Sequence, residues 1–396
     1  MPSATNGVTP AMPPHVRPDG SQHGVLVVGA SVGGTVAALA LARAGIPVTV
    51  IDPHDQPWDK VCGEGLHPAG LRVLEPLLGS LASDGSPFRG FCFRTPEARD
   101  LTWHFPNAIH GLGVERTVLT RRLLEALRAE PLVELHLGTA VTALHRLAGG
   151  WHAETPIGGF DRRFVVGADG VTSRVRQWAG LARGDRYGRW GARRRYRLRT
   201  PIAERVTIEF MGTGEVYLTP LADQRLSVAV LGQKDWILTL RDPVEFDRLL
   251  HAARSLPDGA TAEGGVAVLP HQGFRSSRPA CEQVFLVGDA AMFLDPITGA
   301  GMTLAALGGA IAAEAIGSVV GGQPAATAEK WYARELEQAL APFVGLERFL
   351  GLVARSRLAR RLALGGLRRL PWIISRLAKP TFEPRRRRAS APAGAR

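Results

Sequence analysis

Val25-Leu26-Val27-Val28-Gly29-Ala30-Ser31-Val32-Gly33-Gly34 is the stretch on which the fold turns. Four consecutive apolar residues without alternation read as a strand buried on both faces. Gly29 to Gly34 supplies a glycine-rich turn, and the Ala/Leu-rich run Thr35 to Arg43 reads as a helix stopped by Gly45. Pro47 to Ile51 is a second β-branched run, which completes a βαβ unit. The turn matches G-x-G-x-x-G with Ser31 at the middle glycine. In such a unit Gly29 makes the tight turn, a small residue at 31 lets a pyrophosphate approach the backbone, and Gly34 lets helix and strand pack closely. The helix start, with Gly33 in its first turn, offers N–H groups and partial positive charge to phosphate. Asp52 ends the second strand, where a carboxylate accepts hydrogen bonds from ribose hydroxyls. These features predict a dinucleotide site. No second G-x-G-x-x-G follows a later strand, which argues for a single bound dinucleotide.

Working outward, the pattern stays α/β. A helix is expected around 68–78, strands within 91–105, and an amphipathic helix over 117–129 with Leu119, Leu123, Leu124 and Leu127 on one face. Short strands follow near 132–137, 140–146, 151–154 and 163–167, and 193–231 alternates as a strand-rich region. Residues 243–254 read as helical, Val284 to Val287 as a buried strand, and a long helix starts near 300. Residues 302–320 are apolar but carry Glu314 and many small side chains, so they read as a buried core helix rather than a membrane span. Residues 1–23 lack the apolar core of a signal peptide and read as a disordered leader, which makes the cytosol the default location.

Composition narrows the class. The 396 residues are 45% apolar and 21% charged, ordinary globular values that exclude wholesale disorder. Three scattered cysteines are too few for a disulfide framework or a zinc site, so no metal is expected. The net charge of +12 sits entirely within 345–396, and residues 1–344 are neutral. A nucleic-acid role for the body is therefore not suggested. The preference for arginine over lysine reads as a GC-rich, bacterial coding bias.

Two later segments choose the dinucleotide. Phe164-Val165-Val166-Gly167-Ala168-Asp169-Gly170 is a strand running into a Gly-Asp-Gly turn. Val284-Phe285-Leu286-Val287-Gly288-Asp289 is a strand ending in Gly-Asp, followed by Asp295-Pro296-Ile297-Thr298-Gly299-Ala300-Gly301-Met302. In this order and spacing the three motifs resemble the single-component FAD-dependent hydroxylases of p-hydroxybenzoate hydroxylase type (class A flavin monooxygenases). Geranylgeranyl reductases and flavin-dependent halogenases are similar. The segment Asp59-Lys60-Val61-Cys62-Gly63-Glu64-Gly65-Leu66 pulls towards the geranylgeranyl reductase-like branch. The resemblance covers roughly residues 24–345. It implies that Gly29, Ser31, Gly33, Gly34 and Asp52 hold the ADP half of FAD, and that Arg116 lies along the cofactor. Asp169 would contact FAD and nicotinamide, and Gly288 and Asp289 the ribityl or pyrophosphate region. Pro296, Gly299, Ala300, Gly301 and Met302 would lie against the isoalloxazine ring.

Other residues are weaker candidates. Cys62 falls near the expected flavin, where related reductases place a cysteine, although a small buried residue explains it as well. His104, in Trp103-His104-Phe105, could line a substrate cavity or simply belong to a core strand. Arg193, Arg194, Arg195, Arg197 and Arg199 read as a solvated sheet face, with an acidic-substrate or NADPH-phosphate site as the alternative. The Trp-x-Trp-x-Ile-Pro signature of halogenases is absent. Near the C-terminus, leucines at helical spacing alternate with Arg355, Arg357, Arg360, Arg361, Arg368 and Arg369, and Gly365-Gly366 and Pro371 are expected to break the helix. These basic amphipathic helices either pack on the body with a solvated arginine face or dock on anionic lipid.

The expected fold is a doubly wound, Rossmann-like three-layer FAD-binding domain with an antiparallel substrate sheet and C-terminal helices. The expected boundaries are a leader at 1–23, FAD-binding segments 24–85, 112–182 and 276–344, a substrate domain from 86–111 and 183–275, basic helices at 345–380 and a disordered basic tail at 381–396. The resemblance implies a monooxygenase in which NAD(P)H, as transient co-substrate, reduces FAD. A flavin C4a-hydroperoxide would then hydroxylate or epoxidise a small apolar or aromatic molecule, a polyketide or a prenylated specialised metabolite with O2. Reduction of prenyl C=C bonds is the alternative. A further one is a flavin-binding regulatory or membrane-docking protein without turnover, touching anionic membrane through 345–388.

Overall fold

The computed structural model describes residues 24–382 apart from 97, 183–185, 254 and 277; the leader and most of the basic tail, including Arg385 to Arg388, lie outside the described residues. The central sheet has six strands in the order Ala280–Cys281, Val284–Leu286, Phe164–Gly167, Val25–Val28, Val48–Asp52 and Val133–Leu137. All neighbours run parallel except the edge hairpin at Ala280–Cys281. The first strand thus sits in the middle of the sheet, and its unalternating apolar sequence follows from burial on both faces.

Helices Val32–Arg43 and Gly301–Val320 cover the sheet in direct contact with each other. Their backbones nearly touch: a Cβ on Gly309 would lie 2.3 Å from the Gly33 carbonyl oxygen. Gly301–Val320 is long and apolar enough to cross a membrane, but 61% of its apolar window is buried inside the protein. Its Ala/Gly composition is that of a core helix packed at short range. A three-stranded antiparallel sheet (Ala143–Leu147, Gly150–Thr155, Gly158–Arg162) completes the layers and shares the same core through Leu144, Trp151 and Ala153.

The second large sheet has eight strands in the order Met292–Phe293, Thr261–Arg275, Arg186–Arg197, Arg225–Gly232, Gly214–Leu221, Val206–Phe210, Gly90–Thr95 and Ala98–His104. It is antiparallel except for one pair, Val206–Phe210 beside Gly90–Thr95. One face packs on helices Lys234–Thr239 and Pro243–Ala252 through residues such as Val216, Val228, Ile237 and Phe246. The other face, with Ile208, Phe210 and Tyr217, packs on the C-terminal helices through Leu350, Val353, Leu364 and Leu367.

Those helices are Ala325–Arg355, Arg357–Arg369 and Pro371–Phe382. The expected break at Gly365-Gly366 does not occur. Each glycine weakens a helix by only about 1 kcal/mol, and burial of Leu364 and Leu367 on either side offsets this. The chain breaks at Leu370, where Pro371 disfavours the helical conformation of the residue before it. Arg360, expected on the polar face, is instead buried: its Nη1 donates to the Ala354 carbonyl at 2.7 Å, capping the preceding helix.

The helix crossing gives two substitutions of opposite sign. Gly309→Ala should lower stability by about 1–3 kcal/mol through overpacking. Gly317→Ala, where an added Cβ meets nothing within 4 Å, should raise it by about 0.5–1 kcal/mol. Denaturant titration of the two variants checks both.

Candidate cofactor and substrate site

The C-terminal ends of three adjacent parallel strands meet at Gly29, Gly167 and Gly288. This is the position at which doubly wound sheets bind ligands. Gly29 has φ +108°, and a Cβ there would lie 2.5 Å from the Ala168 carbonyl oxygen. A Cβ on Gly34 would lie 1.9 Å from the Gly29 carbonyl oxygen, so the tight turn requires glycine at both places. Gly33 packs against the backbone of Ala305. Ser31 stands at the helix N-cap without donating or accepting a cap hydrogen bond, and no acidic residue occupies the first turn. Its hydroxyl instead accepts from Nη2 of the buried Arg116. Arg116 Nε is buried with no hydrogen-bond partner. An open helix start beside an arginine with an unused donor fits a phosphate group.

Asp52 is buried at the end of its strand, as the spacing predicts. Its carboxylate accepts from Ala30 N at 2.7 Å and His54 N at 2.9 Å and lies 2.8 Å from His54 Nδ1, so it braces the turn. Asp169 accepts from the amides of Arg174 and Val175 at 2.7 and 3.1 Å, which caps a helix, while its Oδ1 is buried without a partner. Gly288 and Asp289 lie in a 3-10 turn, and Asp289 pairs with Lys60 at 2.6 Å.

Pro296 to Thr298 form a second 3-10 turn, Gly299 turns left-handed at φ +61°, and Ala300 caps the helix that starts at Gly301. Met302 is buried in the first turn. This helix start also carries no acidic residue and no side-chain cap. The turn is held from three sides. Tyr217 donates to the Ile297 carbonyl at 2.9 Å, Arg189 bridges Asp295 and the buried Glu215, and Asp295 N donates to Glu347 of the C-terminal helix at 3.0 Å.

Of the arginines expected on a solvated face, Arg197 and Arg199 are exposed, whereas Arg193, Arg194 and Arg195 are drawn into ion pairs. Arg193 is 4% exposed and pairs with Asp59 at 2.7 Å, while Arg195 pairs with Asp59 and the fully buried Glu64. Glu64 also accepts from Arg116 N at 3.0 Å. The loop bearing Lys60 and Cys62 is therefore pinned between the phosphate end and the second sheet. Glu64 holds φ +57°, a left-handed conformation for which the surrounding ion pairs compensate. Cys62 is partly buried; burial, and then the Glu64 carboxylate, push its thiol up. Both effects favour the protonated thiol, in keeping with the small packing residue that the sequence also allowed.

Beyond the Pro296–Gly301 turn lies an apolar cavity, with an empty volume of about 690 Å³ measured out to its open mouth. Phe91, Phe93, Trp103, Ile208 and Phe210 form its floor, and Phe349, Leu350, Leu364, Leu367 and Ile374 of the C-terminal helices form its roof. Strand alternation puts Trp103 into this wall and leaves His104 exposed on the other side, so His104 is no part of the site. The histidine that is present is His67, which sequence reasoning passed over. It is 3% exposed, lines the cavity, and its Nδ1 has no hydrogen-bond partner. Burial pushes it down to about 4, against the Thr298–Gly299 backbone, which favours the charged form.

His67 thus folds neutral but titrates at its ordinary value of 6.5 when unfolded. Between these values the unfolded chain binds the extra proton, so stability falls as pH drops from 6.5 towards 4. His67→Leu should flatten this slope, by up to about 3 kcal/mol in wild-type minus variant stability. Urea titrations across the interval measure it.

Residues 22–341 match the FAD binding domain family. The digeranylgeranylglycerophospholipid reductase of Methanocella arvoryzae is 28% identical over 340 residues, 81% of this chain and 84% of that protein. The kynurenine 3-monooxygenase of Salinispora arenicola is 32% identical over 168 residues, 39% of this chain and 37% of that protein. In structure, p-nitrophenol 4-monooxygenase from Pseudomonas putida superposes with a TM-score of 0.78 at 20% identity, over 92% of this chain and 99% of that one. The family match runs through every strand end that frames the site, and the chain belongs to the FAD binding domain family as an FAD-dependent oxidoreductase.

Proposed function

We propose that the protein is an NAD(P)H-dependent FAD monooxygenase. Its substrate is an apolar aromatic, polyketide or prenylated metabolite that it hydroxylates or epoxidises with O2. The observation that carries this reading is the cavity, whose lining is apolar apart from His67 and Thr298 and which adjoins the Pro296–Gly301 turn. Segments 24–85, 112–182 and 276–344 hold FAD, and 86–111 with 183–275 form the substrate side. Gly29 to Gly34 with Arg116 receive the pyrophosphate and Asp52 the ribose. Asp169, Gly288 and Asp289 hold the middle of the cofactor, and Pro296 to Met302 the ring. Bound FAD supplies the electron transfer and oxygen activation. The protein binds, orients and excludes water: the aromatic floor and helical roof keep the reacting end dry. NAD(P)H visits transiently, in keeping with the single glycine-rich nucleotide turn.

Reduction of prenyl C=C bonds is the second reading, favoured by the extended match to a lipid reductase. Oxygen uptake with NAD(P)H in air, stimulated by an apolar aromatic and accompanied by its hydroxylation, supports the first. Alkene saturation without O2 would replace it with the second, and bound FAD that no donor reduces would mean binding without turnover. Arg116→Leu should weaken FAD binding by about tenfold or more, read by flavin fluorescence.

The protein is read as cytosolic with peripheral contact to anionic membrane through 345–388, a reading supported by the described helices up to Phe382. Leu352, Leu358, Leu362, Leu370 and Trp372 are 46–66% exposed. They stand among exposed Arg355, Arg357, Arg361, Arg368 and Arg369, on the outside of the cavity roof. Apolar side chains rimmed by cations suit a bilayer surface. Vesicles containing phosphatidylglycerol should sediment with the protein and pure phosphatidylcholine vesicles should not. Replacing Leu358, Leu362 and Trp372 together by serine should reduce that binding about tenfold or more.

A further inference from the structure

We infer that His67 is the specificity determinant of the cavity: the site takes a molecule with an apolar body and one neutral hydrogen-bonding group, a hydroxyl or phenol, which His67 engages. The inference deepens the reading above and rests on it only for the reaction that follows binding.

The polar inventory of the cavity is short. Thr298 already accepts from Ala300 N at 3.4 Å, which leaves the imidazole of His67 as the lining group with an unused buried atom. Leaving such an atom without a partner costs about 1–3 kcal/mol, a cost that a bound hydroxyl removes. With its other nitrogen donating to the Thr298–Gly299 backbone, the neutral imidazole leaves Nδ1 as an acceptor, so it serves a group that donates a hydrogen bond. No charged side chain lines the cavity among the described residues. An ionised ligand there would be buried without a counter-charge, which disfavours carboxylates and ammonium groups.

Position adds a second constraint. His67 precedes Pro68 at the start of helix Pro68–Leu78, its ring tilts against Phe91 at 5.7 Å, and a Cβ on Gly299 would lie 3.6 Å from its Nε2. It stands where the cavity meets the Pro296–Gly301 turn. A hydroxyl held there keeps the hydroxyl-bearing end of the molecule beside that turn, and the apolar remainder runs under the roof towards Trp103 and Leu367. Oxidation is therefore directed next to the hydroxyl rather than to the far end of the molecule.

The test uses full-length, FAD-loaded protein and three probes: 2-naphthol, naphthalene and 2-naphthoate. Binding is read by quenching of tryptophan fluorescence, since Trp103 forms part of the wall, and by perturbation of the flavin absorbance. Wild type should bind 2-naphthol about tenfold or more tightly than naphthalene, with 2-naphthoate weakest. His67→Leu should bind the two neutral probes equally, by losing affinity for 2-naphthol alone. His67→Asn should restore part of the difference. A wild-type preference below about twofold overturns the inference. So does a preference that survives in a His67→Leu protein of normal flavin content, or tight binding of 2-naphthoate. The wild-type ratio decides the matter by itself if His67→Leu does not fold. Selective binding without oxygen uptake sinks the monooxygenase reading and leaves this inference standing; oxygenation without selectivity does the reverse.

Discussion

The rest of the molecule depends on the close crossing of helices Val32–Arg43 and Gly301–Val320. Their backbones approach at Gly33 and Gly309 to a distance that no side chain would permit. That approach brings two helix starts, at Ser31 and Gly301, to the same edge of the central sheet. Neither start is capped by its own side chain or neutralised by an acidic residue. Two positive helix ends pointing at one region are unfavourable unless something anionic or electron-rich lies between them. The fold stores this demand, which a bound anionic cofactor would answer.

Around the crossing the chain ties its distant parts together with charge. Asp59 and Glu64 come from the loop after the second strand and Arg193 and Arg195 from the second sheet, while the backbone amide of Arg116 adds a hydrogen bond to Glu64. Buried ion pairs of this kind add little net stability, but losing one partner costs about 3–5 kcal/mol because the other charge is left stranded. Their effect is geometric. They hold the Lys60 loop beside Asp289, and they tie the sheet that lines the cavity to the loop that leaves the central sheet.

Much of the nucleotide side was legible from residues alone, because its rules are local. A continuous apolar strand, a glycine turn and a carboxylate after the second strand lie within one βαβ unit, and the structure builds that unit from those residues. The substrate side was less legible, since its partners are far apart in sequence. Arg193 looked solvated because nothing near it in the chain is acidic; Asp59, and more distantly Glu64, answer it across more than a hundred residues. His104 drew attention by standing between two aromatics, yet strand alternation points it outward. His67 offered no signal, because a histidine before a proline reads as an ordinary helix start. Its role arises from the turn at Thr298–Gly299 and from helices at the end of the chain.

Those last helices were expected either to pack on the body or to dock on lipid, and they pack on it as the roof of the cavity. This has a consequence for synthesis. The floor around Ile208 and Phe210 leaves the ribosome long before Leu350 and Leu367, and at ordinary elongation rates the interval is on the order of ten seconds. Throughout it, an aromatic sheet face stands without its cover. The nascent chain must pass through a state that resembles an aggregation intermediate, and the central sheet is itself unfinished for most of that interval, because strand Val284–Leu286 and helix Gly301–Val320 follow the floor in the chain.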